Sequence, residues 1–318
     1  MTESKITNTC KKERKGLQGL DLINAFLFRA STEKTKDAEF IAKLIIERAT
    51  GHKVEQISVV SEKPLTGVDV GRHGICMDLY VEEHEGERRA KVYDIEPNNY
   101  GMEELPLRSR YSQALTDVKL LESGESYGEL PNYISIWILP FDPFGQNRML
   151  YTVKNFVAED TKIVYNDGAM KLFLYTGGEL GGNGKLRDML HYFSNSDEEH
   201  AVDAELFKLH GIVEHARENR KVGEDYMTMQ DYVDCELKRR LKEEVEKGVA
   251  EAVETAVAEA KAEAKAEAKA EAKAEAKAEA IVEVAGILRG LNIPDEKITE
   301  QLITTYKISK EEAKSYLN

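Results

Sequence analysis

Cysteine, proline and tryptophan are scarce in this chain, which holds 3, 7 and 1 of them in 318 residues. Cys10, Cys76 and Cys235 are too widely separated for a disulfide framework or a zinc-ligand spacing, so a reducing, cytoplasmic setting is expected. Cys76 is expected to behave as a small, partly buried hydrophobe. Positive charge is also in deficit, with a formal net charge of -14. A basic footprint over the whole surface is thereby excluded, and any contact with a polyanion must rely on local arginines or bound metal. No apolar stretch approaches the roughly 20 residues that span a bilayer. The opening MTESKITNTCKKERKG carries charge without an apolar run, so neither a secretory signal nor an anchor is expected. The 7 histidines form no His-Glu-x-x-His set, and no Gly-x-Ser-x-Gly elbow is present. In GGELGGNGKL, Glu179 stands where a phosphate loop needs glycine and Leu186 where it needs Ser or Thr, so the segment reads as a flexible turn. Hydrolase chemistry through serine, zinc or a nucleotide loop is left without support.

What is present suffices for a sizeable core: 42% of the residues are hydrophobic against 32% charged, and the length suggests one or two domains. In residues 37–51, Phe40, Ile41, Leu44 and Ile45 form one helical stripe that Gly51 is placed to stop. VEQISVVSE reads as a strand, and the hairpin described below follows it. LRSRYSQALTDVKLLESG then puts Leu115, Val118 and Leu121 on a helical stripe, and YISIWILP reads as a short buried strand. The order helix, three strands, helix, strand predicts a mixed α/β sandwich. Further strands are expected in NRMLYTVKNF and MKLFLYT, and helices from about Leu186 onward.

Residues 74–99, GICMDLYVEEHEGERRAKVYDIEPNN, read as two strands joined by a turn at Gly86 or Glu87. In an antiparallel hairpin with that tip, Asp78 lies opposite Glu96, with side chains roughly 5 Å apart at Cβ. Asp94 and Asn98 share the face of Glu96 by strand alternation. Like charges facing each other in a sheet are unfavourable. Either a cation offsets them, a divalent metal such as magnesium being the simplest, or the face is solvated and water separates the carboxylates.

The C-terminal third is dominated by AEAKAEAKAEAKAEAKAEAKAEA, residues 258–280. Its period of four drifts around a helix that turns every 3.6 residues, so no fixed apolar seam forms, and alanine propensity must carry the helix. A semi-rigid spacer of roughly 35 Å is expected, with association into a homo-oligomer through this helix the less favoured role. The last segment reads as short helices around Gly290, Pro294 and Ser309, where Ser309 and Glu312 form a capping box. Three parts follow: a core over 17–235, a charged spacer over 236–282 and a small helical segment over 283–318.

HGICMDLYVEE, ERRAKVYDIEPNN, LPLRSRYSQALTDVKLLESGESY, YISIWILPFDPFG and YTVKN, taken together, resemble the PD-(D/E)XK nuclease superfamily, in particular its Rpn-like recombination-promoting nucleases, a transposase-associated group. The likeness covers roughly residues 20–195. It implies a restriction-endonuclease-like αβββαβ core that hydrolyses DNA phosphodiesters with magnesium or manganese. Position by position, it makes Asp78 the first acidic ligand, Glu96 the acid of the second motif, and Pro97 the residue whose carbonyl faces the metal. Asn98 stands where the family has Lys or Gln, and it offers a short neutral amide in place of a charge. Arg108 and Arg110, supported by Gln113, become candidates to contact phosphate, their other reading being ordinary surface charge. Glu39 or Glu47 could supply an outer acid, with nothing to choose between them. A protein that keeps the fold without the activity, as a DNA-binding or protein-contact module, is the alternative.

Overall fold

The structure, a computed structural model, describes residues 16–67, 73–98 and 104–317, so Cys10 lies outside it. The chain divides into two units, Met1–Asp231 and Tyr232–Asn318. The first contains helices α1 (Ala25–Ser31) and α2 (Thr35–Thr50), strands β1 (Ile57–Leu65), β2 (Ile75–Glu85) and β3 (Arg88–Pro97), helix α3 (Leu105–Leu120) and strand β4 (Asn132–Leu139). Strands β5 (Leu150–Val153), β6 (Phe156–Val157), β7 (Asp160–Val164) and β8 (Ala169–Tyr175) follow, then helices α4 (Gly184–Ser194), α5 (Ala204–Glu218) and the first turns of α6 (Arg220–Gly290). Six strands form one sheet in the order β1-β2-β3-β4-β8-β5, while β6 and β7 pair by themselves. Strands β1 to β3 run antiparallel, β3, β4 and β8 parallel, and β5 antiparallel to β8. The fold is mixed α/β, with the expected order of helix, three strands, helix, strand. No helix among the described residues is long and apolar enough to cross a membrane.

Alternation sorts the strands' residues to two faces. Leu79, Val81, Tyr93, Ile95, Ile134, Ile136, Ile138, Leu172 and Leu174 belong to the main core, together with residues of α1, α2, α4 and α5. Helix α2 buries Ile41, Leu44, Ile45 and Ile46 there, each such side chain contributing about 1.5–3 kcal/mol. It ends as its sequence predicts, at Gly51 with φ 72°. Buried Arg48 ties it to the start of α5 through both Asp203 oxygens (2.9 and 2.7 Å) and Glu205 (2.9 Å).

The opposite face carries α3, and there the expected helical stripe is wrong. Leu115 is buried, but Val118 is 55% exposed, and the buried row is completed by Leu105, Ser109, Ser112 and Thr116. The sheet presents Asp94 and the Tyr133 hydroxyl to this helix, and short hydroxyl side chains satisfy those buried groups where leucine would leave them unpaired.

In the second unit, the end of α6 packs with α7 (Asp295–Tyr306) and α8 (Lys310–Ser315) around Ile281, Ala285, Ile298, Leu302, Ile308, Ala313 and Leu317. Ser309 caps α8 by accepting the Glu312 N–H at 3.1 Å, as the capping box predicts. The repeat over 258–280 is helical and exposed almost throughout. Removing two of its repeats should therefore leave the first unit's stability unchanged, because the segment buries nothing. The lone tryptophan, Trp137, is buried in the first unit and reports on it alone. A drop of several degrees in the fluorescence melt would mean that the repeat packs on the core.

Candidate active site

The β2–β3 hairpin turns at Gly86, whose φ of 66° suits glycine. Its register pairs Leu79 with Ile95, Tyr80 with Asp94 and Glu83 with Lys91, with a one-residue shift between Glu83 and His84 that fits the strands to the turn. This is the predicted register, and it makes Asp78 and Glu96 the next pair. The ladder stops short of them. One residue further along β3, Pro97 has no N–H to donate, and the Asp78 N–H is taken instead by Glu96 Oε1 at 3.1 Å. On the other side, Glu62 lies between the pairs Ser61–Leu79 and Lys63–Met77, which places it opposite Asp78. Its φ of 50° marks an irregularity in β1, and its carboxylate pairs with Arg29 at 2.9 Å.

Asp94 is fully buried and accepts hydrogen bonds at 2.8 Å from Ser112 Oγ on α3 and from the Tyr133 hydroxyl on β4. Its other oxygen has no donor among the described residues, and neither has the buried hydroxyl of Ser135, its register partner on β4. The carboxyls of Asp78 and Asp94 both lie within hydrogen-bonding reach of Glu96, a contact that is attractive only when a proton is shared. Burial, then the neighbouring Asp94 and Asp78, hold Glu96 well above the usual carboxylate range. Burial, opposed by Arg108, pushes Asp78 up to about 6. Burial also raises Asp94, against the hydrogen bonds from Ser112 and Tyr133.

Among the described residues, Arg108 is the cation paired with Glu96. Its Nη2 stands 3.4 Å from Glu96 Oε2, and its guanidinium lies 5.4 Å from the centre of the Trp137 ring. Trp137 is the register partner of Glu96 on β4. A cleft of about 960 Å³ opens here, lined by Glu96, Arg108, Trp137 and the exposed Arg110. Asn98 is buried, and its N–H bonds the Ile138 carbonyl at 2.9 Å, continuing the register that pairs Pro97 with Ile138. Gln113 is not brought to the cleft: its Oε1 accepts from Lys171 Nζ at 3.1 Å, and it bonds Asp117 one turn further along α3. Neither α2 glutamate joins, since α2 packs on the other face of the sheet and Glu47 accepts the Val54 N–H at 3.2 Å. Cys76 is exposed and lines the cleft, contrary to the expectation of partial burial, because that end of β2 opens into the cleft. Exposed as the residue is, partial desolvation of its sulfur by the cleft wall and the carboxylates of Glu62, Asp78 and Glu96 raise its thiol, so it is a poor nucleophile.

Among the described residues, no group of three or more His, Cys, Asp or Glu is arranged to hold a metal ion. With Asp94 held by Ser112 and Tyr133, the oxygen donors that remain are Asp78 and Glu96. A pair of carboxylates suits a hard ion that keeps several waters, as magnesium does, and does not suit a closed protein cage. The buried Asp94 oxygen without a donor and the suppressed ionisation of Glu96 fit a site short of positive charge.

A pH dependence follows. Unfolded, these carboxyls titrate near about 4; folded, they keep protons to higher pH, Asp78 to about 6. Stability from the cluster is therefore present at low pH and lost as pH rises through the folded values. In EDTA, wild type should lose stability relative to Glu96→Gln between about pH 5 and about pH 8, because burial and the neighbouring carboxyls oppose ionisation of Glu96, and manganese should restore it. Chemical denaturation followed by Trp137 fluorescence checks this, and a gain by wild type over that range would contradict it.

Comparison with protein-family models, with curated proteins and with solved structures finds no match.

Proposed function

We propose that the protein is a magnesium- or manganese-dependent DNA endonuclease with a PD-(D/E)XK-type core of the Rpn-like, transposase-associated kind. The observation that carries this reading is the Asp78–Glu96 pair at the broken end of the hairpin, with the Asp78 N–H held by Glu96 at 3.1 Å. The order helix, three antiparallel strands, helix, parallel strand supports it, because that is the αβββαβ arrangement the resemblance implies.

Asp78 and Glu96 would hold the ion, with the Pro97 carbonyl as the backbone ligand that the resemblance implies. When bound, the ion lowers the pKa of its water and neutralises charge on the phosphate. A bound ion would favour the ionised form of Glu96, because its positive charge would offset the repulsion from Asp78 and Asp94. Arg108, half exposed and only loosely paired to Glu96 at 3.4 Å, would contact the scissile phosphate. Arg110 lies on the same cleft for an adjacent phosphate. Asn98 favours a second reading, a nuclease fold without cleavage that serves as a DNA-binding or protein-contact module, since it brings no charge to the phosphate.

Plasmid nicking tests the proposal. Wild type should nick in magnesium and in manganese but not in EDTA, and Asp78→Ala should fall to background. Equal nicking by wild type and Asp78→Ala would sink the nuclease reading.

A further inference from the structure

We infer that the cleft beside Glu96 receives an unpaired nucleobase, so that the preferred substrate is single-stranded or locally unpaired DNA. This rests on the nuclease reading of the same site. The residues facing the cleft are the starting point. Helix α3 buries its hydroxyl row and turns Leu107 and Tyr111, one helical turn apart, outward at 57% and 41% exposure. A helix that buries Ser109 and Ser112 while turning leucine and tyrosine to its open side presents an apolar surface there that the packing of α3 on the sheet does not use. Both residues line the cleft that reaches Glu96.

The tyrosine is fixed in place. Its hydroxyl donates to the His73 carbonyl, and the His73 ring meets it edge-on, with centroids 6.0 Å apart at 84°. An exposed aromatic ring pinned at its far end is a stacking platform that loses little side-chain entropy on binding. The deeper wall is Trp137, whose buried indole N–H has no hydrogen-bond partner among the described residues.

Charge selects the class of occupant. Arg108 and Arg110 precede Tyr111 in sequence and line the same cleft, with Glu96 and Glu104 also on its wall, whereas the chain as a whole carries -14. Two guanidiniums around an aromatic, beside carboxylates able to hold a metal, match a base with its neighbouring phosphates better than an apolar peptide. A paired base hides both of its faces in the duplex stack. Only an unpaired one can lie on Tyr111.

The test is binding in EDTA, where no cleavage occurs, so it reads this inference separately from the nuclease reading, which stands or falls on metal-dependent nicking. Fluorescence anisotropy at low salt compares a labelled oligothymidylate with a blunt duplex of equal length. Wild type should bind the single strand about 10-fold tighter or better, and Tyr111→Ala should remove about that factor while leaving duplex binding unchanged. Tyr111→Phe, which keeps the ring, should retain most of the preference. Equal affinity for the two DNAs, or equal losses on both in Tyr111→Ala, would overturn the inference. So would an oligouridylate bound about 10-fold tighter than the DNA strand, or displacement of the strand by an equal concentration of thymidine monophosphate.

Discussion

Magnesium-dependent nicking should fall by about 10²-fold to 10³-fold in Asp78→Asn and in Glu96→Gln, the loss typical of removing one group that stabilises charge in a transition state. Both variants keep their shape, so the hairpin should persist. In Glu96→Gln the side-chain amide oxygen can still accept the Asp78 N–H that Glu96 Oε1 accepts at 3.1 Å. A distinguishing signature comes with the loss. Both substitutions remove an ionisable carboxyl from a buried cluster in which burial with Asp94 and Asp78 pushes Glu96 upward, and burial with Asp94, against Arg108, pushes Asp78 upward. Each variant should therefore be more stable than wild type in EDTA at neutral pH while binding manganese more weakly. Damage to the fold would lower stability and activity together, whereas removal of metal ligands lowers activity and raises stability. Calorimetric titration with manganese, alongside nicking rates and melts, separates the two. Unchanged manganese affinity in both variants would restore the reading of a solvated face.

The parts of the site that were legible from the residues are those governed by short-range rules. A glycine turn and a period of two sufficed to bring Asp78 against Glu96 and to put Asp94 on their face, and the observed pairs Leu79–Ile95 and Tyr80–Asp94 keep that register. Helix α2 was legible for the same reason, an apolar stripe with a glycine stop. What escaped depends on partners far along the chain. The stripe assigned to α3 through Val118 failed because the surface it meets holds Asp94 and Tyr133, so burial there follows hydrogen bonding and not hydrophobicity. Glu62 was missed because it occupies an exposed position of an evenly alternating strand, and no local pattern announces its positive φ or its place opposite Asp78. Gln113 follows Arg110 by nearly a turn, and its sequence position gave no sign that Lys171 on β8 would engage it. Tyr111 stood in the same quoted segment, and its outward position became visible only with the buried serines on the other side of the helix.

Asn98→Lys should raise the nicking rate by about 10-fold, equivalent to roughly 1.4 kcal/mol in the barrier. Asn98 follows Glu96 by two residues and continues the β3–β4 register through its N–H bond to Ile138, so a longer side chain there starts on the same face as the carboxylates. An ammonium at that point would place charge beside the phosphate, and a well-placed catalytic charge can be worth some 2.7–4 kcal/mol. Two features reduce the gain. Asn98 is 4% exposed, so lysine must leave a packed position to reach the cleft. Once there it meets Glu96 and Asp78, which will pair with it in competition with the metal. The second effect predicts that the gain grows with magnesium concentration, because the ion must outcompete the new ammonium for the carboxylates. Asn98→Gln, which adds reach without charge, should gain less and show no such dependence. Cleavage rates of wild type and both variants across a magnesium series decide the matter. If neither substitution raises the rate and Asn98→Ala abolishes it, the asparagine amide is itself the working group. If all four proteins are inactive while Asp78→Asn still weakens manganese binding, the cluster is a metal site in a fold that binds DNA without cutting it.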